Sequence, residues 1–295
     1  MANFADRLAA LVEERRSQIC LGLDPDPAKL AGSEPRAAEP GAPVAEVVAA
    51  AVADHCRRLI AQAGPACVAV KPQLACFERL GAPGWEALEA TCAAARDAGL
   101  VVVADGKRGD VPVTAAAYAQ ALVGETPTPW GPVPGLNADA FTANPLLGRD
   151  ALEPLVAAAA DAGAGMFTLV RTSNPGAADL QDLPAPQEPL HERLAGIVDE
   201  LSERLLGDCG LSGMGAVVGA TEPRHFARMR ELMPRSIFLI PGVGAQGGKP
   251  ELLGAAFAAG PAAGLVAASR AIAADPDPAA AAERLRQGVW EISTA

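Results

Sequence analysis

Val101-Val102-Val103-Ala104-Asp105-Gly106-Lys107-Arg108-Gly109-Asp110 runs four apolar residues straight into a cluster of charges. A strand that is apolar at successive positions, not alternate ones, is covered on both faces, as strands of parallel sheets are. Seven more such runs flank it: Ile19–Asp24, Cys67–Lys71, Ala138–Thr142, Met166–Arg171, Gly215–Val218, Ile237–Ile240 and Gly264–Ala268. Segments with helical spacing separate them. Val44, Val48, Val52 and Leu59 share one face, as do Trp85, Leu88 and Cys92, and Leu190, Leu194, Ile197, Leu201 and Leu205. Gly64 and Gly99 stand where helices should end. Phe4, Leu8, Leu11 and Val12 mark an additional N-terminal helix, with Asn3 as its cap. Eight strand–helix alternations predict an α/β fold, a (β/α)8 TIM barrel with an extra N-terminal helix, over residues 1–295 as one domain. A doubly wound open sheet is disfavoured, because no Gly-rich dinucleotide fingerprint follows the first strand. Pro- and Gly-rich stretches at 31–43, 122–137 and 175–189 read as surface loops between barrel elements.

The 295 residues carry a net charge of −11, which argues against generic nucleic-acid binding. An anionic substrate stays open, since a few convergent cations in a cleft outweigh a distant acidic surface. No apolar run reaches the length of a membrane span and no secretory leader is visible, so a soluble, cytoplasmic protein is expected. Cys20, Cys56, Cys67, Cys76, Cys92 and Cys209 lack metal-ligand spacing, and most lie in apolar runs; they read as buried, reduced thiols.

In a barrel of this kind the chemistry lies at the C-terminal ends of the strands. Those ends supply Asp24, Lys71, Asp105 with Lys107, Asn144, Thr172 with Ser173, Thr221, Gln246 and Arg270. Residues two apart in an extended segment share a face, so Asp105 and Lys107 are expected to point together. With Lys71 and Asp110 they form an alternating array of ammonium and carboxylate groups. One such charge is readily a strand-tying ion pair; four at one mouth point to catalysis. The second constellation is Pro241-Gly242-Val243-Gly244-Ala245-Gln246-Gly247-Gly248, followed by Ser269-Arg270 after the last strand. Loops after strands seven and eight are the recurrent phosphate site of this fold. There glycine backbone, the next helix N-terminus and a forked guanidinium can all meet phosphate oxygens.

Asp105-x-Lys107-x-x-Asp110 with Val111 and Thr114 resembles the DxKxxD(I/V)xxT signature of the orotidine 5′-phosphate decarboxylases. Leu21-Gly22-Leu23-Asp24, Val70-Lys71-Pro72-Gln73, Arg171-Thr172-Ser173-Asn174-Pro175-Gly176, the 241–248 loop and Ser269-Arg270 match in the same order, from about Gln18 to Ile272. The details are similar to the longer bacterial (type 2) subgroup. Val111 stands where Ile is commoner. The resemblance implies a cofactor-free lyase that converts orotidine 5′-phosphate to UMP, the last step of pyrimidine nucleotide synthesis. It implies that Asp24 holds the ribose hydroxyls and that Lys71 binds ribose and orients Asp105. Asp105 would sit beside the substrate carboxylate, and Lys107 would donate a proton to C6. Ser173 would bind the pyrimidine, while Gln246, Gly244 and Arg270 would hold the phosphate. In the implied homodimer, Asp110, Val111 and Thr114 reach the partner's site. Arg108, Arg171 and Gln73 receive no role.

Decarboxylation at C6 leaves a carbanion in the ring plane, where π delocalisation cannot reach it. Without an electron sink such as pyridoxal phosphate, fixed charges must stabilise it, and an ammonium held between carboxylates does so. The rival within the same superfamily is a Mg2+-dependent sugar-phosphate decarboxylase or aldolase. As the resemblance implies, that group carries Glu as a metal ligand where this chain has Lys71. A rival of another class is an inactive ligand-sensing barrel, in which a broken charged array is expected.

Overall fold

A computed structural model describes residues 3–30 and 41–295. Eight strands close into a parallel barrel in which each pairs with its neighbours in sequence and the last returns to the first. They are β1 (Ile19–Leu23), β2 (Ala69–Pro72), β3 (Val101–Arg108), β4 (Ala140–Ala143), β5 (Gly165–Arg171), β6 (Ser212–Val218), β7 (Ser236–Pro241) and β8 (Gly264–Ala268). All eight expected strands are present, their ends displaced by three residues at most. Helices α1 (Phe4–Arg15), α2 (Val44–Ala63), α3 (Leu74–Glu78), α4 (Ala82–Asp97), α5 (Pro112–Leu122), α6 (Arg149–Ala162), α7 (Leu190–Leu201), α8 (His225–Leu232), α9 (Arg270–Ala273) and α10 (Pro278–Ser293) account for the rest.

The core divides in two. Outward-facing strand residues such as Leu21, Val70, Val102, Phe141 and Val218 pack under the helices. Inward-facing ones such as Cys20, Ala69, Val101, Val103 and Phe167 fill the barrel. The alternation continues upward, so the next inward positions are Gly22, Lys71, Asp105, Thr142 and Leu169, all at the mouth. Helix α1 closes the opposite end. Asn3 caps it by accepting the Asp6 N–H at 3.1 Å, and Phe4 sets its ring edge-on to Phe167, centroids 5.8 Å apart. That approach requires Gly165, since a Cβ there would lie 2.4 Å from the Phe4 ring. Arg15 at the end of α1 donates to Gly64 and Cys67 carbonyls after α2 and to Ala98 and Gly99 carbonyls after α4. One guanidinium thus satisfies orphan carbonyls of two helix ends.

Several sequence expectations need correction. Gly99 takes the left-handed conformation at φ 68°, whereas Gly64 stays right-handed and opens a 3-10 turn. Val44 is exposed, and the buried face of α2 runs from Ala49 through Val52 and Cys56 to Ile60. Leu205 lies past the end of α7, in a 3-10 turn. Among the described residues, no α-helix lies between β7 and β8. Pro250, Gly254, Gly260 and Pro261 interrupt that segment every few residues, and it folds as three 3-10 turns. Cys209 is exposed and Cys76 half-buried; the other four thiols are buried. The stretches 122–137 and 175–189 each contain a two-residue antiparallel ribbon, Glu125–Thr126 with Val133–Pro134 and Pro184–Ala185 with Glu188–Pro189. Of the expected loop 31–43, residues 31–40 lie outside the described residues. Among the described residues, no helix is long and apolar enough to cross a membrane.

Candidate active site

The barrel mouth opens into a cavity of about 580 Å3, within the usual range for small-molecule sites. Its floor is built around Asp105. β2 brings Gln73 level with Asp105 in parallel register, and Lys71, two residues earlier, reaches it with its side chain. β3 and β4 run level as far as Ala104 opposite Phe141, and next match at Arg108 opposite Ala143. Four steps along β3 therefore face two along β4. The excess forms a bulge holding Asp105, Gly106 and Lys107, with Lys107 in the left-handed region at φ 49°. Asp105 and Lys107 do point together, but through this bulge and not through the regular extended strand expected from sequence. A non-glycine residue held at positive φ is uncommon and costs energy, and such residues gather at functional sites. Thr142 holds the bulge from β4: its Oγ1 accepts the Lys107 N–H at 2.9 Å and donates to Asp105 Oδ1 at 2.8 Å.

Asp105 is 4% exposed and accepts four hydrogen bonds. Lys71 Nζ (2.7 Å) and Gln73 Nε2 (3.2 Å) donate to Oδ2, while Lys107 Nζ (2.6 Å) and Thr142 donate to Oδ1. Burial alone would raise its pKa, but the flanking Lys71 and Lys107 ammoniums overrule burial and hold it below the ordinary carboxylate range. For buried Lys71 the balance is the mirror image. Burial works against its charge, yet Asp105 and then Asp24 carry its pKa above the ordinary lysine value. The Lys107 side chain is 44% exposed toward the cavity, and an ammonium has three donors, so it retains N–H groups for a ligand.

Asp24, Ser173, Gln246 and Arg270 also line the cavity, with Asn144 and Thr172. Gly244 does not. Its φ of 74° makes the turn, and its own N–H donates to the Gly248 carbonyl at 2.9 Å. Of the helix N-terminus expected at the loops after β7 and β8, the β7 side has only 3-10 turns, and the β8 side has the one-turn α9, which Arg270 itself begins. Asp110, Val111 and Thr114 do not line this chain's cavity. The Asp110 carboxylate accepts the Val111 N–H at 2.7 Å, and Val111, Val113 and Thr114 face outward at the start of α5. Thr221 donates to the Ser173 carbonyl from outside the cavity. Arg108 turns away to Glu78 and to the Tyr118 ring. Sequence reasoning left Gln73 without a role and passed over Thr142, although Gln73 follows the end of β2 and Thr142 lies near the end of β4, each at the parity that faces inward.

Comparison with known proteins shows the family. Residues 17–285 match the model of the orotidine 5′-phosphate decarboxylase / HUMPS family. The chain belongs to that family. It is 40% identical over 281 residues to an orotidine 5′-phosphate decarboxylase of Rhodopirellula baltica, covering 92% of this chain and 88% of that protein. It is 42% identical over 277 residues to one of Deinococcus radiodurans, with 92% and 89% covered. The solved structure of a Leishmania donovani OMP decarboxylase superposes with a TM-score of 0.78 at 34% identity, over 99% of this chain and 100% of that one. As a member of the orotidine 5′-phosphate decarboxylase family, the chain is a carbon–carbon lyase on a TIM barrel, and its charged array lies where such a barrel carries its chemistry.

Proposed function

We propose that this chain decarboxylates orotidine 5′-phosphate to UMP without a cofactor, that residues 1–295 form one catalytic domain, and that Lys107 donates the proton to C6. The observation that carries this reading is the Lys71–Asp105–Lys107 array, in which a buried, four-fold hydrogen-bonded carboxylate fixes an ammonium aimed into the cavity. Bond cleavage leaves an electron pair at C6, and a preorganised cation stabilises it more than it stabilises the ground state. Proton transfer from Lys107 to C6 then completes UMP and leaves a neutral amine. Asp105 next to the substrate carboxylate adds repulsion that is relieved as CO2 departs. Asp24 holds the ribose, Ser173 the pyrimidine, and Gln246 with Arg270 the phosphate.

The reading extends to a homodimer in which Asp110, Val111 and Thr114 of each chain enter the partner's site. Support comes from their absence from their own cavity and from the apolar side chains beside them, with Val113 85% exposed. It places the protein in the cytoplasm, where its six unpaired thiols stay reduced. A Mg2+-dependent reaction is disfavoured because the Lys71 ammonium occupies the place at the second strand's end where a metal ligand would be needed.

Loss of orotidine 5′-phosphate absorbance on adding enzyme, in EDTA, tests the activity. Full turnover with the chelator present is expected; turnover that EDTA abolishes contradicts the reading. Lys107→Ala should lower kcat by about 10²–10³ or more while UMP affinity changes far less. Turnover within tenfold of wild type removes Lys107 from the mechanism.

A further inference from the structure

The loop between β5 and α7 forms one wall of the cavity through Thr172, Ser173, Ala177, Leu180 and Gln181, and an ion pair between a buried arginine and a half-buried aspartate fastens it from behind. Arg171, the last residue of β5, is 5% exposed and does not line the cavity. All three guanidinium nitrogens are engaged. Nε and Nη2 fork onto the two Asp182 oxygens at 2.8 and 3.0 Å, and Nη1 donates to the Thr172 carbonyl at 2.7 Å. Asp182 is also 3.2 Å from His191 Nδ1. Burial would raise the Asp182 pKa, but the Arg171 hydrogen bond and charge outweigh it and hold it below the usual carboxylate range. Next to it, Gln181 Oε1 accepts the Thr172 N–H at 2.8 Å, and the Gln181 carbonyl accepts the His191 N–H at 2.9 Å. Leu183 and the cavity-lining Leu180 are both exposed, so the loop is loosely covered. On the near side Ser173 is pressed against β6: a Cβ at Gly219 would lie 2.6–2.8 Å from Ser173 atoms.

We propose that Arg171 is a positioning residue for the base end of the substrate, acting through Asp182 to hold the 172–181 wall, and Ser173 within it, at a fixed distance from Lys107. Ion pairs taken out of water add little net stability, because desolvation offsets their attraction. A planar fork closed on a carboxylate does fix relative position, and a displacement of about 1 Å near reacting groups can cost up to about 10²-fold in rate. This device therefore serves geometry more than stability. The inference rests on the proposed contact between Ser173 and the pyrimidine.

Binding of UMP and of ribose 5-phosphate, measured by calorimetry on the full-length protein, separates the possibilities. Arg171→Lys keeps the charge and removes the fork. It should weaken UMP about tenfold and lower kcat/KM for orotidine 5′-phosphate at least as much, leaving ribose 5-phosphate within twofold of wild type. Asp182→Asn breaks the same pair from the loop side with little change in shape, and should reproduce the selective loss even if Arg171→Lys folds poorly. Equal weakening of both ligands, or unchanged binding of both in Asp182→Asn, overturns the proposal. Ser173→Ala tests the reading beneath it separately: if UMP affinity survives that change, the assignment of the pyrimidine to Ser173 fails, whatever the two pair variants do.

Discussion

The Asp105 carboxylate illustrates what single residues reveal and conceal. Asp105, Lys107 and Lys71 are legible in sequence because a charge closing an apolar strand has few structural explanations. Gln73 and Thr142 are not, because neutral side chains at strand ends have many, and only the register of β2, β3 and β4 brings them onto Asp105. The bulge that turns Lys107 to φ 49° leaves no mark in composition either. These contacts make a pH prediction. Asp105 has a depressed pKa in the fold, so its stabilisation is complete above the unfolded value near ~3.9 and is lost as pH falls through the folded one. Lys71 has a raised pKa, so its stabilisation is complete below ~10.4 and is lost as pH rises through the folded value. The stability difference between wild type and Asp105→Asn, from denaturant titrations, should therefore be flat between about pH 5 and 9 and shrink below about pH 4. A difference that already declines at neutral pH would mean that Asp105 is not doubly paired.

Among elements, the strands were readable and the connection after β7 was not. Continuous apolar runs identify parallel strands, whereas a segment punctuated by Pro and Gly says only that a regular helix is disfavoured, not what replaces it. Here the replacement is held by a buried cation. Arg230 of α8 lies over the Phe238 ring at 3.8 Å and donates to the carbonyls of Met233, Ser236, Ala256 and Ala263. Burial pushes its pKa down to about 10. Arg230→Met should leave several carbonyls unsatisfied at about 1–3 kcal/mol each, lowering Tm by roughly 5–20 °C. Unchanged Tm in a thermal melt would show that this clasp is dispensable. The loop ahead of it concerns binding. Gly244 shapes that turn, while Arg270 faces the cavity, so Arg270→Ala should cost orotidine 5′-phosphate roughly 10²-fold in kcat/KM and leave the slow turnover of orotidine nearly unchanged. Equal losses on both substrates would assign Arg270 to the fold.

For the whole molecule, the family, the barrel and the location of its chemistry follow from the order of short motifs along the chain. Which cavity Asp110 serves does not follow from spacing, which only places it three residues after Lys107. In the fold Lys71, Asp105 and Lys107 join within one chain, while Asp110 turns to its own backbone outside that cavity. In the proposed homodimer Asp110 of the partner subunit completes the array, and activity in mixed dimers tests this most directly. Lys107→Ala and Asp110→Ala proteins should each be nearly inactive. Co-expressed or refolded together in equal amounts, about half of the dimers carry one of each chain, and one of their two sites has both residues intact. About a quarter of wild-type turnover should return; heterodimers that form yet stay at the parents' level would contradict a shared site.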